Sequence, residues 1–162
     1  MSSRDEIMAR LSELGIQYEH YTHEPVQAAA DRYSLDLAFD ARVCKNLLVA
    51  TRSESRFLLL MIPFEKSVDL KGLRDAFKTS RLQFAPEARL AELLNQEQGT
   101  VGVCGVIHDC EKCIEVVFDT SLRENARIAM HPGVNTETVV MSFSELERYV
   151  RSCGTKVWIY EF

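Results

Sequence analysis

Four short patterns in this 162-residue chain bring together residue types that do chemistry. Lys45-Asn46 opens an otherwise apolar run directly after Val43-Cys44. A lysine there either snorkels at a sheet edge or meets an anion. His131-Pro132-Gly133-Val134-Asn135-Thr136 has the make-up of a turn joining two strands, where His and Asn also occur for local reasons. Gly99, Gly102 and Gly105 punctuate one stretch, but neither a Gly-Lys-Ser/Thr nor a GxGxxG pattern is present, so it is no P-loop or dinucleotide fingerprint. Such glycines let a ligand approach backbone N–H groups able to hold an oxyanion; strand and bulge geometry gives the same spacing.

Cys110-Glu111-Lys112-Cys113 supplies two thiols, with His108 as a third ligand nearby. A structural zinc takes four ligands, and no second pair stands at a suitable spacing. A redox CxxC belongs at a helix start after a strand. This one lies between Val106-Ile107 and Ile114–Phe118, where a hairpin turn is expected, so an incidental pair is the favoured reading. Nothing in the chain asks for a metal or an organic cofactor.

Charge is uneven. The whole chain carries −5, which argues against coating a nucleic acid through net charge and against DNA as a partner. From Arg42 to Arg81, however, nine Lys/Arg face four Asp/Glu, while the remainder carries ten against twenty. Lys71, Arg74, Lys78 and Arg81 fall within one helical stripe if a helix continues to Arg81. A solvated helix face is the alternative.

These residues need elements to position them. Arg4–Leu14 reads as a helix with Ser3 as N-cap, Glu6 three residues on and Gly15 as the stop. Ile16–Tyr21 alternates like a strand, and Val26–Leu37 is Ala-rich and helical in character. Leu47–Ala50 and Phe57–Ile62, separated by Thr51–Ser55, make a hairpin. Helices follow from Ser67 or Asp69 to Phe77 and from Pro86 to Leu94. Ile114–Phe118, Ala126–Met130 and Thr138–Met141 are strand-like. Ser142 with Glu145 caps a helix to Ser152, Gly154 stops it, and Lys156–Tyr160 is the last strand. Without a regular βαβ rhythm this predicts one α+β domain over 1–162, with a mixed, mostly antiparallel, barrel-like sheet flanked by helices.

A 46% apolar content with only 7 Gly and 4 Pro supports a folded core and excludes a disordered or collagen-like chain. Five Cys are too few and too odd for a disulfide scaffold. No apolar run approaches the ~20 residues of a membrane span, and no signal core follows Met1. A cytoplasmic protein with no membrane partner is expected.

In order and spacing, the pieces together resemble the YbaK/prolyl-tRNA deacylase family, free-standing relatives of the editing domain inserted in bacterial prolyl-tRNA synthetases. The anchors are Cys44-Lys45-Asn46-Leu47-Leu48-Val49, Ser67–Leu73, Arg81-Leu82-Gln83-Phe84-Ala85, Gly99-Thr100-Val101 and His131–Thr138. The Lys-Asn pair and the His-Pro-x-x-Asn-Thr-x-Thr turn look like the branch that clears alanine from mischarged prolyl-tRNA. That branch reads close to Ser-Val-Thr-Pro-Phe-Gly-Leu after its first glycine. Here the stretch is Thr100-Val101-Gly102-Val103-Cys104-Gly105-Val106, without the Pro and Phe. Ser, Thr, Cys or another small side chain therefore stand beside Ala as substrates.

The resemblance implies hydrolysis of the ester between an aminoacyl group and the terminal adenosine of tRNA, tRNA(Pro) first, with prolyl-tRNA synthetase as a further partner. It implies catalytic roles for Lys45 on the terminal phosphate, ribose or developing charge, Asn46 on the substrate, His131 on the water, and Gly105 near the scissile carbonyl. It places Gly99, Gly102, Cys104, Pro132, Asn135 and Thr136 around the substrate, and Lys71, Arg74, Lys78 and Arg81 on the tRNA. In a regular strand Lys45 and Asn46 point to opposite faces, which would cost Asn46 its role unless the strand is just beginning or bulged there. A non-catalytic module that binds an amino acid or aminoacyl-tRNA is the competing class.

Overall fold

The computed structural model describes residues 2–26, 29–96, 101–124 and 126–162. Its centre is the expected hairpin, strand β2 (Cys44–Thr51) running antiparallel to β3 (Phe57–Pro63). The Thr51 hydroxyl closes the turn by accepting from the N–H groups of Ser55 and Arg56 at 3.0 and 3.1 Å. Every residue of β3 is buried, which a strand tolerates only when both faces are covered. Phe57, Leu59 and Met61 face the main core, and Leu58, Leu60 and Ile62 face a smaller apolar layer under helix α3 (Leu70–Phe77).

Strands β4 (Leu82–Phe84), β5 (Ile114–Asp119) and β8 (Lys156–Tyr160) extend this sheet in the order β4-β2-β3-β5-β8, with β5 parallel to both its neighbours. A second sheet of three antiparallel strands has β7 (Glu137–Ser142) between β1 (Glu19–Thr22) and β6 (Arg127–Met130). A bridge between Arg42 and Ile128 links the two. Both sheets send apolar residues into one core, joined by Ile7 and Leu11 of α1 (Ser3–Glu13), Leu90 and Leu94 of α4 (Glu87–Leu94), and Leu146 and Tyr149 of α5 (Phe143–Ser152). Each such side chain contributes about 1.5–3 kcal/mol on burial. The architecture is the expected α+β mixture of sheet and flanking helices.

Local details differ from the sequence reading. Ser2 rather than Ser3 caps α1, accepting from Asp5 N–H. The first strand starts at Glu19, with Ile16 buried before it. Helix α2 spans Ala29–Ala38. Helix α3 stops at Phe77 because Lys78 turns left-handed (φ 54°) and caps it. The Ser142 cap, the Gly154 stop (φ +79°) and β8 stand as predicted. Among the described residues no helix is long and apolar enough to cross a membrane.

Candidate active site

The ladder between β2 and β3 is unbroken from Cys44–Pro63 to Ala50–Phe57, with Lys45 opposite Ile62 and Asn46 opposite Met61. A period of two therefore sends Lys45 and Asn46 to opposite faces. Met61 belongs to the main core with Cys104, Met130 and Val139, whereas Ile62 belongs to the layer under α3. This corrects two expectations: the pair does not share one pocket wall, and the regular geometry expected to cost Asn46 its role instead puts Asn46 on the core side and turns Lys45 away. The Asn46 Oδ1 is buried without a hydrogen-bond partner. Lys45, at the beginning of the strand, extends its ammonium to 5.9 Å from the ring centroid of Phe64, the residue that follows β3.

On the core side stands His131, 3% exposed, at the end of β6. Its Nδ1 lies 2.8 Å from the Glu137 carbonyl oxygen. A carbonyl can only accept, so Nδ1 carries the hydrogen and Nε2 keeps its lone pair. Burial pushes the His131 pKa down to about 4, helped by the positive charge of Arg32 and by His23, so the ring is neutral at pH 7. The His23 ring meets it edge to face at 5.9 Å and has Nε2 2.8 Å from the Thr138 hydroxyl.

The Val103–His108 stretch is a 3₁₀ turn, not a strand. Cys104 is fully buried; its thiol donates to the His131 carbonyl at 3.0 Å, and the Cys104 carbonyl accepts from the Tyr149 hydroxyl at 2.7 Å. Burial raises the Cys104 pKa to about 11 and that of Cys44 to about 12, so neither is a thiolate nucleophile at neutral pH. Gly105 donates its N–H to the Gly102 carbonyl, and Gly102 donates to Gln96 Oε1 at 3.0 Å. This corrects Gly105 as a source of an open backbone donor. What Gly105 provides is room: a Cβ there would lie 2.8 Å from the Gln96 amide carbon. Gly99 lies outside the described residues.

Pro132 is buried beside His131. Asn135 and Thr136 clasp the segment after β1: the Thr136 carbonyl accepts from His23, the Asn135 carbonyl accepts from Val26, and the Asn135 amide donates to the Val26 carbonyl at 3.4 Å. They hold the wall on which His23 sits. Of the basic residues, Lys71 and Arg74 lie on α3, with Arg74 donating to Asp75, whereas Lys78 and Arg81 follow the helix. The single four-residue stripe is corrected by that left-handed cap; Lys71, Lys78 and Arg81 are exposed all the same.

Sequence reasoning missed the polar pair on α2. Asp36 is 3% exposed and its Oδ1 has no hydrogen-bond partner. Burial raises its pKa to about 6, against the opposing pull of Arg32 and His23. Arg32 acts electrostatically on Asp36, Cys104 and His131, which places it among them. The two are one helical turn apart, a spacing that in a sequence reads as an ordinary solvent-side pair.

The CxxC connects the 3₁₀ turn to β5, so the expected hairpin is corrected. His108 is held by Ser3 Oγ at 2.7 Å and Glu6 at 3.2 Å. Among the described residues no group of three or more His, Cys, Asp or Glu is placed to hold a metal ion.

The model of one family, the aminoacyl-tRNA editing domain, matches residues 23–149, a span that contains every core-side group just described. The chain belongs to the aminoacyl-tRNA editing domain family. A relative from Acetoanaerobium sticklandii, named prolyl-tRNA editing protein ProX, is 32% identical over 154 residues, covering 95% of this chain and 94% of the relative. Among solved structures, hypothetical protein APE2540 superposes with a TM-score of 0.73 at 18% identity, covering 98% of each chain. A candidate trans-editing enzyme for prolyl tRNA synthetase superposes with 0.72 at 14% identity, covering 100% of this chain and 98% of that one. These two likenesses show the fold. Membership of the editing-domain family makes the chain an aminoacyl-tRNA deacylase, with aminoacyl-tRNA as its substrate.

Proposed function

We propose that this editing domain acts in trans on mischarged prolyl-tRNA and removes alanine. A synthetase pocket that accepts proline cannot strongly exclude a smaller side chain, because lost apolar contacts are worth only ~1–3 kcal/mol. A second site that admits alanine and rejects proline by bulk supplies the missing discrimination. The name of the Acetoanaerobium sticklandii relative supports the prolyl-tRNA part of this reading.

Two observations carry the chemistry: a buried, neutral His131 whose Nδ1 is committed to the Glu137 carbonyl, and an Asn46 on the core side of β2 with an unpartnered oxygen. An aminoacyl ester is already activated, so positioning a water suffices in place of a covalent nucleophile. His131, too weakly basic to hold a proton at pH 7, orients that water through Nε2. Asn46 positions the aminoacyl group, and Cys104 with Gln96 forms the wall that limits side-chain size. Lys45, at the start of β2, meets the terminal phosphate or ribose, while the exposed Lys71, Lys78 and Arg81 contact the acceptor end. Such contacts give weak, salt-sensitive binding.

One observation favours a second reading. The buried Gln96 amide beside Cys104 offers a polar partner that an alanine methyl does not use and a serine hydroxyl does. A deacylation assay over tRNAs charged with Ala, Ser, Thr, Cys and Pro separates the two. Hydrolysis of Ala-tRNA(Pro) with Pro-tRNA(Pro) spared supports the proposal, and Lys45→Ala abolishes it while the protein stays folded. Saturable binding without ester loss, or full activity of Lys45→Ala, refutes it.

A further inference from the structure

Two aromatic rings near the start of β2 take no part in either apolar layer. Tyr33 on α2 and Phe64 after β3 are 38% and 39% exposed, and neither belongs to the main core or to the layer under α3. They touch edge to face, with centroids 5.1 Å apart and planes at 62°. The Lys45 ammonium borders the same Phe64 ring. Leu37, one helical turn beyond Tyr33, is 55% exposed and widens the apolar surface.

An edge-to-face pair covers only part of each ring and leaves a flat π-face open to solvent. A flat apolar face with a cation at its border is the combination that receives a nucleotide, with the base on the ring and the phosphate on the ammonium. A protein partner would find the same rings, but a lysine beside them disfavours a purely apolar occupant and matches an anionic one.

We propose that the Tyr33–Phe64 platform seats the purine base of the substrate's terminal adenosine, with Lys45 on its phosphate. The inference rests on the deacylase reading and deepens it. It explains why Lys45, although turned away from Asn46, still serves the same substrate. The base lies outside on the platform and Lys45 holds the phosphate there. From that seat the aminoacyl ester reaches past the start of β2 to the core-side groups.

The test pairs two substrates and one ligand. 3′-O-alanyl-adenosine 5′-monophosphate carries the base, alanine ethyl ester does not, and 5′-AMP is the ligand followed by saturation-transfer NMR. Phe64→Leu and Tyr33→Leu keep apolar volume and remove the aromatic face. Each is expected to raise KM for the nucleotide ester about tenfold with kcat within twofold, the loss expected when one stacked base loses its aromatic partner. The preference for the nucleotide ester over the ethyl ester falls by the same factor, and so does AMP affinity. Circular dichroism checks that both variants fold, and Tyr33→Phe is expected to retain wild-type KM. Unchanged KM and AMP affinity in both leucine variants, or no AMP binding to wild-type protein, would overturn the platform. AMP binding that depends on both rings, in a protein that hydrolyses neither ester, would instead sustain the platform and sink the deacylase reading.

Discussion

Two aspartates, both withdrawn from water, have opposite fates in this molecule. Asp119, at the end of β5, is fully buried and surrounded by donors: the Lys66 ammonium at 3.1 Å, the Phe162 N–H at 3.0 Å, and the N–H and hydroxyl of Ser121. Burial works to raise its pKa, yet the donors outweigh it and the carboxyl ends below its ordinary value. Asp36 is nearly as buried but keeps an oxygen without a donor, and its pKa goes the other way. A saturated buried carboxylate is architecture, here tying Phe162 to the sheet. An unsaturated one is a standing cost that a fold keeps where a ligand is to be met.

The largest expected effect is on the saturated side. Asp119→Ala strands several donors and should lower unfolding free energy by about 3 kcal/mol in urea titration. Because its folded pKa is depressed, the stabilisation is present above the ordinary carboxylate range and disappears as pH falls below about 4. A loss under ~1 kcal/mol would mean that the donors find water as easily as they found the carboxylate.

The next effect uses pH to set Asp36 against His131. His131 titrates near 4 when folded and near the ordinary ~6.5 when unfolded, so its contribution is complete above 6.5 and is lost as pH falls toward 4. Asp36 titrates near 6 when folded and near ~3.9 when unfolded, so its contribution is lost as pH rises from about 4 to 6. The groups facing them are Arg32 and His23 for both, and Cys44 for Asp36. In the wild type the two trends oppose each other. In Asp36→Asn the protein should lose about 2 kcal/mol between pH 6.5 and 4, and in His131→Gln it should gain a similar amount over pH 6 to 4. Thermal unfolding across that range reads both; parallel profiles in the two variants would break the contrast.

The smallest effect is near pH 4, where Asp36 is already largely protonated. Asp36→Asn should change stability there by less than ~1 kcal/mol, because both side chains are neutral beside Arg32. A loss matching that of Asp119→Ala would show both aspartates to be architecture.

Most of the fold was legible because its signals are local. The capped helix after Ser142, the stop at Gly154 and the central hairpin each declare themselves within a dozen residues. Lys45, Asn46 and His131 were legible through motif spacing, but their relation to one another was not. Which face of β2 turns to the main core depends on how two sheets share it, a long-range fact that no window of residues contains. Arg32 and Asp36 stayed hidden for the same reason, since burial, not spacing, sets them apart. The basic stripe failed on a single left-handed residue, Lys78, whose conformation a helical periodicity cannot announce.

The hairpin turn at Thr51–Arg56 has one more consequence. It lies about 20 Å along β2 from Lys45, yet it sets the frame in which that strand is read. Substituting turn residues leaves the alternation of β2 intact. Inserting or deleting one shifts the ladder by a step and exchanges inside for outside, moving the lysine inward and the amide outward. Beyond the Thr51 hydroxyl that closes it, the turn is thus freer to drift in composition than in length, so a constant turn length is the mark to look for when deciding whether a divergent copy still works.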